Sequence, residues 1–265
     1  MLVCRFFIYF VIFSFLGWIH ESIYCTVKSG NWENRGFLYG PVVPIYGVGA
    51  NSLVIAEKLI TTYAGSYSWW HIFLIGYVGS IVLEYSTSWI LEKLFHAYWW
   101  DYSNMPLNLN GRICLPCSIG FGFAAIIVIY LIAPFVTTLV DWLPSTSTEI
   151  IALFLMALLA IDTTLTVSAL TNFERTVISV ENSLNKHMES FVLSVQENAQ
   201  SVSKLIAEEK ERFSKERLEH TISSMSKFTY SAIKRTQGFS NTKVERGILE
   251  NAVKTIKKYV PKRKS

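Results

Sequence analysis

Three carboxylates, two guanidinium groups and two amides are the side chains in this sequence best equipped for chemistry: Glu21, Glu84 and Asp101, with Arg35 and Arg112, and Asn108 and Asn110. Carboxylates facing guanidinium forks can hold a lipid headgroup, an ion or a small polar substrate where water is scarce. Their setting makes them conspicuous. Glu21 follows the apolar run Phe6–Ile19, and Glu84 lies well inside another apolar run over 70–94. A charge inside a stretch long enough to cross lipid is costly, so each is a functional-site hypothesis by default. The same groups could instead pair with one another to fix helix packing and register, and the sequence leaves both readings open. Asp162, in Asp162-Thr-Thr-Leu-Thr-Val-Ser168, forms a second polar stripe that reads as interhelical packing.

Other signals are weak or missing. Cys114-Leu-Pro-Cys117 is a lone CxxC, and four cysteines are too few for a disulfide scaffold, so all read as reduced thiols. The sequence has no GxxxxGK[ST] phosphate loop, no GxSxG, no HExxH and no His or Cys at metal-ligand spacing. No catalytic residue, metal or cofactor is assigned on this basis, and nucleotide hydrolysis by a phosphate loop is not expected of this chain. The fold signatures of nucleic-acid binders are also missing, so no nucleic-acid partner is expected.

The elements that must position these residues are membrane spans. Hydrophobic residues make up 51% of the 265 and charged residues 17%, against about a quarter charged in a typical soluble domain. Five windows approach the roughly 20 apolar residues a spanning helix needs: 5–25, 37–57, 70–94, 113–136 and 148–171. The first lacks a small-residue cleavage site and reads as a retained span. The second crowds Gly40, Pro41, Pro44, Gly47 and Gly49 together, which predicts a kinked or partly re-entrant helix. The expected fold is all-α: a polytopic membrane bundle of about five helices over residues 1–172, then a soluble helical tail over 173–265.

Charge divides the chain at the same place. Six basic and nine acidic residues precede Phe173, whereas 18 basic and 11 acidic residues follow. Basic residues favour the cytoplasmic side, which predicts an outside N-terminus and a cytoplasmic tail. Within the tail, Leu184, Met188, Phe191, Val195, Asn198, Val202 and Leu205 recur in steps of four and three. That spacing reads as a coiled-coil seam able to self-associate, or as an amphipathic helix packed on its own chain. Glu208–His220 reads as a solvated mixed-charge surface. The apolar and basic mixture over Ile248–Val260 suits either anionic lipid or solvent.

Five ordered motifs carry a resemblance: Gly17-Trp-Ile-His-Glu21, Asn34-Arg-Gly-Phe-Leu-Tyr-Gly-Pro-Val-Val-Pro-Ile-Tyr-Gly47, Leu83-Glu-Tyr85, Trp99-Trp-Asp-Tyr-Ser103 and Asn108-Leu-Asn-Gly-Arg112. Over about residues 8–135 the chain resembles the bacterial family named "Putative ABC-transporter type IV". The resemblance implies a multi-pass protein of the bacterial inner membrane, permease-like, moving an unknown substrate with an ATPase supplied by a separate chain. It marks Glu21, Arg35, Tyr39, Glu84, Asp101, Asn110 and Arg112 as the positions to examine for substrate binding. A membrane enzyme acting on a lipid headgroup, and an anchor or sensor with a self-associating tail, are the competing readings of the residues.

Overall fold

A computed structural model of the protein describes residues 2–195, 212, 226–236 and 238–239. Its elements are almost all helical. α1 spans Leu2–Ser29, α2 Pro44–Ala64 and α3 Trp69–Phe95. α4 (Leu115–Ile127) runs through one wide turn, Val128–Ile132, into α5 (Ala133–Asp141). The wide turn has a local cause: Pro134 supplies no amide to the helical ladder, and one residue of slack accommodates it. α6 is a single 51-residue helix, Ser145–Val195, and α7 covers Lys227–Arg235.

Among the described residues, four stretches are long and apolar enough to cross a membrane: Leu2–Ser29, Trp69–Phe95, Leu115–Asp141 and Ser145–Asn172. Their outward faces are apolar, with Leu131, Phe135, Leu153 and Phe154 all more than 60% exposed. Single exposed apolar residues are ordinary, but a continuous belt of them marks a surface made for lipid. Against about five expected spans, the second window gives only α2, which carries Glu57 and Lys58 in its outer half.

α2 is short because the chain enters it late. Residues 30–43 fold back beside α1 without forming a helix. The Trp18 indole donates to Asn34 Oδ1 at 2.7 Å, and the Glu33 amide donates to Thr26 Oγ1 at 3.1 Å. The Val43 amide reaches the Ser14 carbonyl at 3.0 Å. Ser14 lies 15 residues from the end of α1, so helix α2 begins about 22 Å inside that end. Pro44 at the first helical position needs no amide partner there. The second window, 37–57, is thus about one third unwound and two thirds helical, a broken helix as its Pro and Gly content predicts.

Small residues let the helices approach closely. A Cβ on Gly47 would lie 2.2 Å from Ser14 Oγ and 2.5 Å from the Phe10 carbonyl, so α1 and α2 touch backbone to backbone. Gly76 of α3 stands in the same relation to Ala125 of α4. Such contacts bind helices where the surrounding lipid supplies no hydrophobic drive. The core between them includes Tyr9, Phe13, Val54, Ile72, Ile129 and Val136.

The two ends of the bundle differ. At one end Arg5 pairs with Asp141 at 3.2 Å, and the Tyr9 hydroxyl donates to the same carboxylate at 2.9 Å. The other end carries segment 30–43, the 96–114 connection and α7. Two short ribbons finish it: β1 (Ala97–Tyr98) pairs antiparallel with β4 (Gly238–Phe239), and β2 (Asn108–Leu109) pairs with β3 (Ile113–Cys114). Asn172 lies inside α6, so no break in the helix marks the division expected between 172 and 173. The heptad positions from Leu184 to Val195 fall on α6; Asn198, Val202, Leu205 and the stretches 208–211, 213–220 and 248–260 lie outside the described residues.

Candidate functional site: a polar end with two centres

All seven sequence-predicted residues occupy the same end of the bundle, but they do not form one cluster. The first centre is Glu84 of α3, 6% exposed. The Tyr102 hydroxyl donates to its Oε1 at 3.2 Å, while its Oε2 is buried with no hydrogen-bond partner among the described residues. Glu21 is close enough for the two carboxylates to act on each other, and Arg35 acts on Glu21 in turn. The Arg35 guanidinium also pairs with Glu33 at 3.0 Å, and its amide leans on Ser22 Oγ at 3.4 Å. Burial above all, and then the neighbouring Glu84, hold the Tyr102 hydroxyl well above the ordinary phenol range, so it remains a donor.

The 96–114 connection that delivers Tyr102 is a compact knot. Tyr102 N–H donates to the Gly111 carbonyl at 2.8 Å, and the Trp100 indole donates to the Arg112 carbonyl at 2.9 Å. Asp101 accepts from the amide and hydroxyl of Ser103, at 2.9 and 2.5 Å. Asn108 Oδ1 accepts the Gly111 amide at 3.2 Å. Gly111, at φ 68°, passes so near Asp101 and Ser103 that a Cβ would lie under 3 Å from both. The motifs Trp99–Ser103 and Asn108–Arg112 are therefore two halves of one turn-rich structure.

The sequence groups Asp101, Asn110 and Arg112 with Glu21 and Glu84 as the side chains best equipped for chemistry. In the structure their contacts lie elsewhere. Asp101 shapes the knot, and Asn110 donates to the Tyr85 hydroxyl at 3.4 Å. Arg112 pairs through Nη2 with Glu92 and lies over the Tyr85 ring at 5.6 Å. Its Nε and Nη1 are buried without a hydrogen-bond partner among the described residues. The Cys114–Cys117 pair carries no disulfide, and no three His, Cys, Asp or Glu among the described residues could hold a metal.

The second centre surrounds Tyr39, in the unwound first third of the second window. Backbone at this depth survives only if its polar groups find partners. Asp162 of α6 supplies two: Oδ1 accepts the Tyr39 amide and Oδ2 the Gly40 amide, both at 2.8 Å. Thr166 Oγ1 adds a longer contact to the Tyr39 amide at 3.2 Å. Arg235 of α7 takes the carbonyls, donating from Nη1 to Leu38 and from Nη2 to Tyr39, the latter at 2.9 Å. Its guanidinium sits 5.0 Å from the centre of the Tyr39 ring. Burial lowers the Arg235 pKa, and Asp162 and Tyr39 oppose that shift; a guanidinium stays charged regardless.

Sequence reasoning missed Tyr102, Glu92 and Arg235, and read Asp162 only as packing. The aspartate had a visible signal, a carboxylate in the middle of an apolar window. Arg235 had none, being one of 18 basic residues in the tail.

A bundle of apolar-faced helices with an unwound segment and a buried carboxylate, Glu84, defines a transporter-like integral membrane protein. The chain belongs to the family described as "Putative ABC-transporter type IV", whose match covers residues 8–167 and thus reaches through α6 to the Asp162 stripe. No curated protein and no solved structure matches the chain.

Proposed function

We propose that the protein is a permease-like subunit that moves a polar substrate through the end of the bundle holding Glu84 and Tyr39, driven by an ATPase on a separate chain. The supporting observation is Glu84: a buried carboxylate in a spanning helix, with one oxygen held by Tyr102 and the other without a hydrogen-bond partner among the described residues. An acid kept that way is suited to meet a passing substrate or proton. Glu21 and Arg35 form the charged surroundings, and the 96–114 knot with the tail offers the partner ATPase a place to dock. The bacterial inner membrane is the location this reading requires, with the tail in the cytoplasm.

The test is Glu84→Gln in the full chain, reconstituted with whichever ATPase co-purifies. Transport is expected to fall at least tenfold with membrane insertion unchanged, a loss of the size seen when a transfer group is removed (about 1.4 kcal/mol per tenfold). Unaltered transport would take Glu84 out of the mechanism. Failure to find a stoichiometric ATPase in mild detergent would count against the coupling.

A further inference from the structure

The partners of Arg235 describe a receptor site. Two carbonyls, Leu38 and Tyr39, face its two terminal nitrogens, and the Tyr39 ring lies beneath the guanidinium plane. The Asp162 carboxylate acts on its charge from the side, and Leu165, Thr166 and Ala169 of α6 wall the remaining cavity. Planar fork, aromatic face and nearby anion are the features by which a guanidinium is distinguished from a point-charge ammonium. Unwound carbonyls inside a broken span are also a recurrent way to hold cations in membrane carriers.

The two carbonyls, the Tyr39 ring, Asp162, Leu165 and Thr166 all lie within the residues the family match covers, whereas Ala169 and the occupant lie outside it. Arg235 reaches the cradle across 197 positions of sequence and is 6% exposed there. Its segment is held by Ala232, which joins Phe95, Trp99 and Leu170, by the fully buried Ile233, and by the two-residue ribbon β1–β4 that follows. We propose that the Leu38–Gly40 cradle is a binding site for a small guanidinium compound, and that Arg235 of the chain's own tail occupies it as a tethered stand-in that the free compound displaces.

A tethered occupant competes at an effective concentration of order millimolar, which lowers the apparent affinity for a free ligand in proportion to the occupied fraction. The inference does not rest on the transport reading, because binding alone tests it. The full-length protein in detergent is titrated calorimetrically with ethylguanidinium, and separately with ethylurea, its uncharged counterpart of similar shape. Arg235→Ala is expected to bind ethylguanidinium at least about tenfold more tightly than the wild type, and neither protein to bind ethylurea. Equal affinity in variant and wild type, or equal binding of ethylurea, overturns the proposal. A second measurement needs no variant. Excess ethylguanidinium should speed amide hydrogen exchange across residues 227–235 of the wild type while Tyr39 and Gly40 stay protected; ethylurea should not. Unchanged exchange over 227–235 also overturns it.

Discussion

Asp162 does more structural work per atom than any other acid in the bundle. Each oxygen accepts one backbone amide of the unwound segment, and hydrogen bonds to a charged group contribute about 1.5–3 kcal/mol each. Asp162→Asn turns one acceptor into a donor facing an N–H group. It is expected to cost about 2–4 kcal/mol, read as a lower midpoint of thermal unfolding in detergent; Thr166→Val, which removes the longer contact to the Tyr39 amide and the hydroxyl's 3.3 Å donation to Asp162 Oδ1 but keeps both short amide bonds, should cost less. Tyr102→Phe is a second residue-scale test. It removes the hydroxyl on Glu84 while keeping the ring, so insertion should be unaltered and transport reduced in the same direction as in Glu84→Gln. Identical transport in Tyr102→Phe and wild type would show that the hydrogen bond has no part in the cycle. Residue depth was legible from the apolar windows: Glu21 and Glu84 stand in spans as read. Pairing was not, because Arg112 chooses Glu92 through the path of a connection whose turns depend on Gly111 and on the left-handed backbone of Asn110.

At the scale of elements, the second span shows which sequence signals translate into structure. Gly40 and Pro41 lie in the stretch that is unwound up to Val43, whereas Pro44 opens α2 and Gly47 and Gly49 lie within it. The depth at which helix resumes was not readable, since it is set by a backbone bond to Ser14 on another helix. Nor was the shortfall in span number: α2 is helical over 21 residues, but Glu57 and Lys58 make it too polar to match the other four. The close crossing of α1 and α2 leads to a further expectation. Gly47→Val places methyl groups where Ser14 and Phe10 already lie, in a contact with no slack on the backbone side. Such overpacking costs typically about 1–3 kcal/mol, and here should lower the yield of folded protein from detergent. Gly79→Ala meets nothing within 4 Å and should be silent.

For the whole molecule, the end that carries segment 30–43 and the 96–114 connection lies opposite the end where Arg5 meets Asp141, and that separation can be tested in a membrane. Leu107 and Trp142 are 76% and 88% exposed on opposite ends of the bundle. In a background lacking the four native cysteines, Leu107→Cys and Trp142→Cys should therefore label with an impermeant thiol reagent from opposite faces of the membrane. Labelling from one face would contradict the arrangement of the spans. The tail was legible as basic, but the contact that its described residues 227–236 make with the bundle was not. Its docking depends on one arginine and a few apolar contacts near Phe95 and Trp99, none of which differs in type from its neighbours in sequence.

The unbroken helix from Ser145 to Val195 has a mechanical consequence. About 23 of its residues extend past Asn172, a stiff arm of about 35 Å. Because Asp162, about 50 Å from Val195 along the same helix, fastens it to the unwound segment, a tilt of about ten degrees at that fulcrum would sweep the far end of the arm through about 9 Å. Small rearrangements around a bound solute would thus be magnified into displacements that a protein waiting beside the tail could sense.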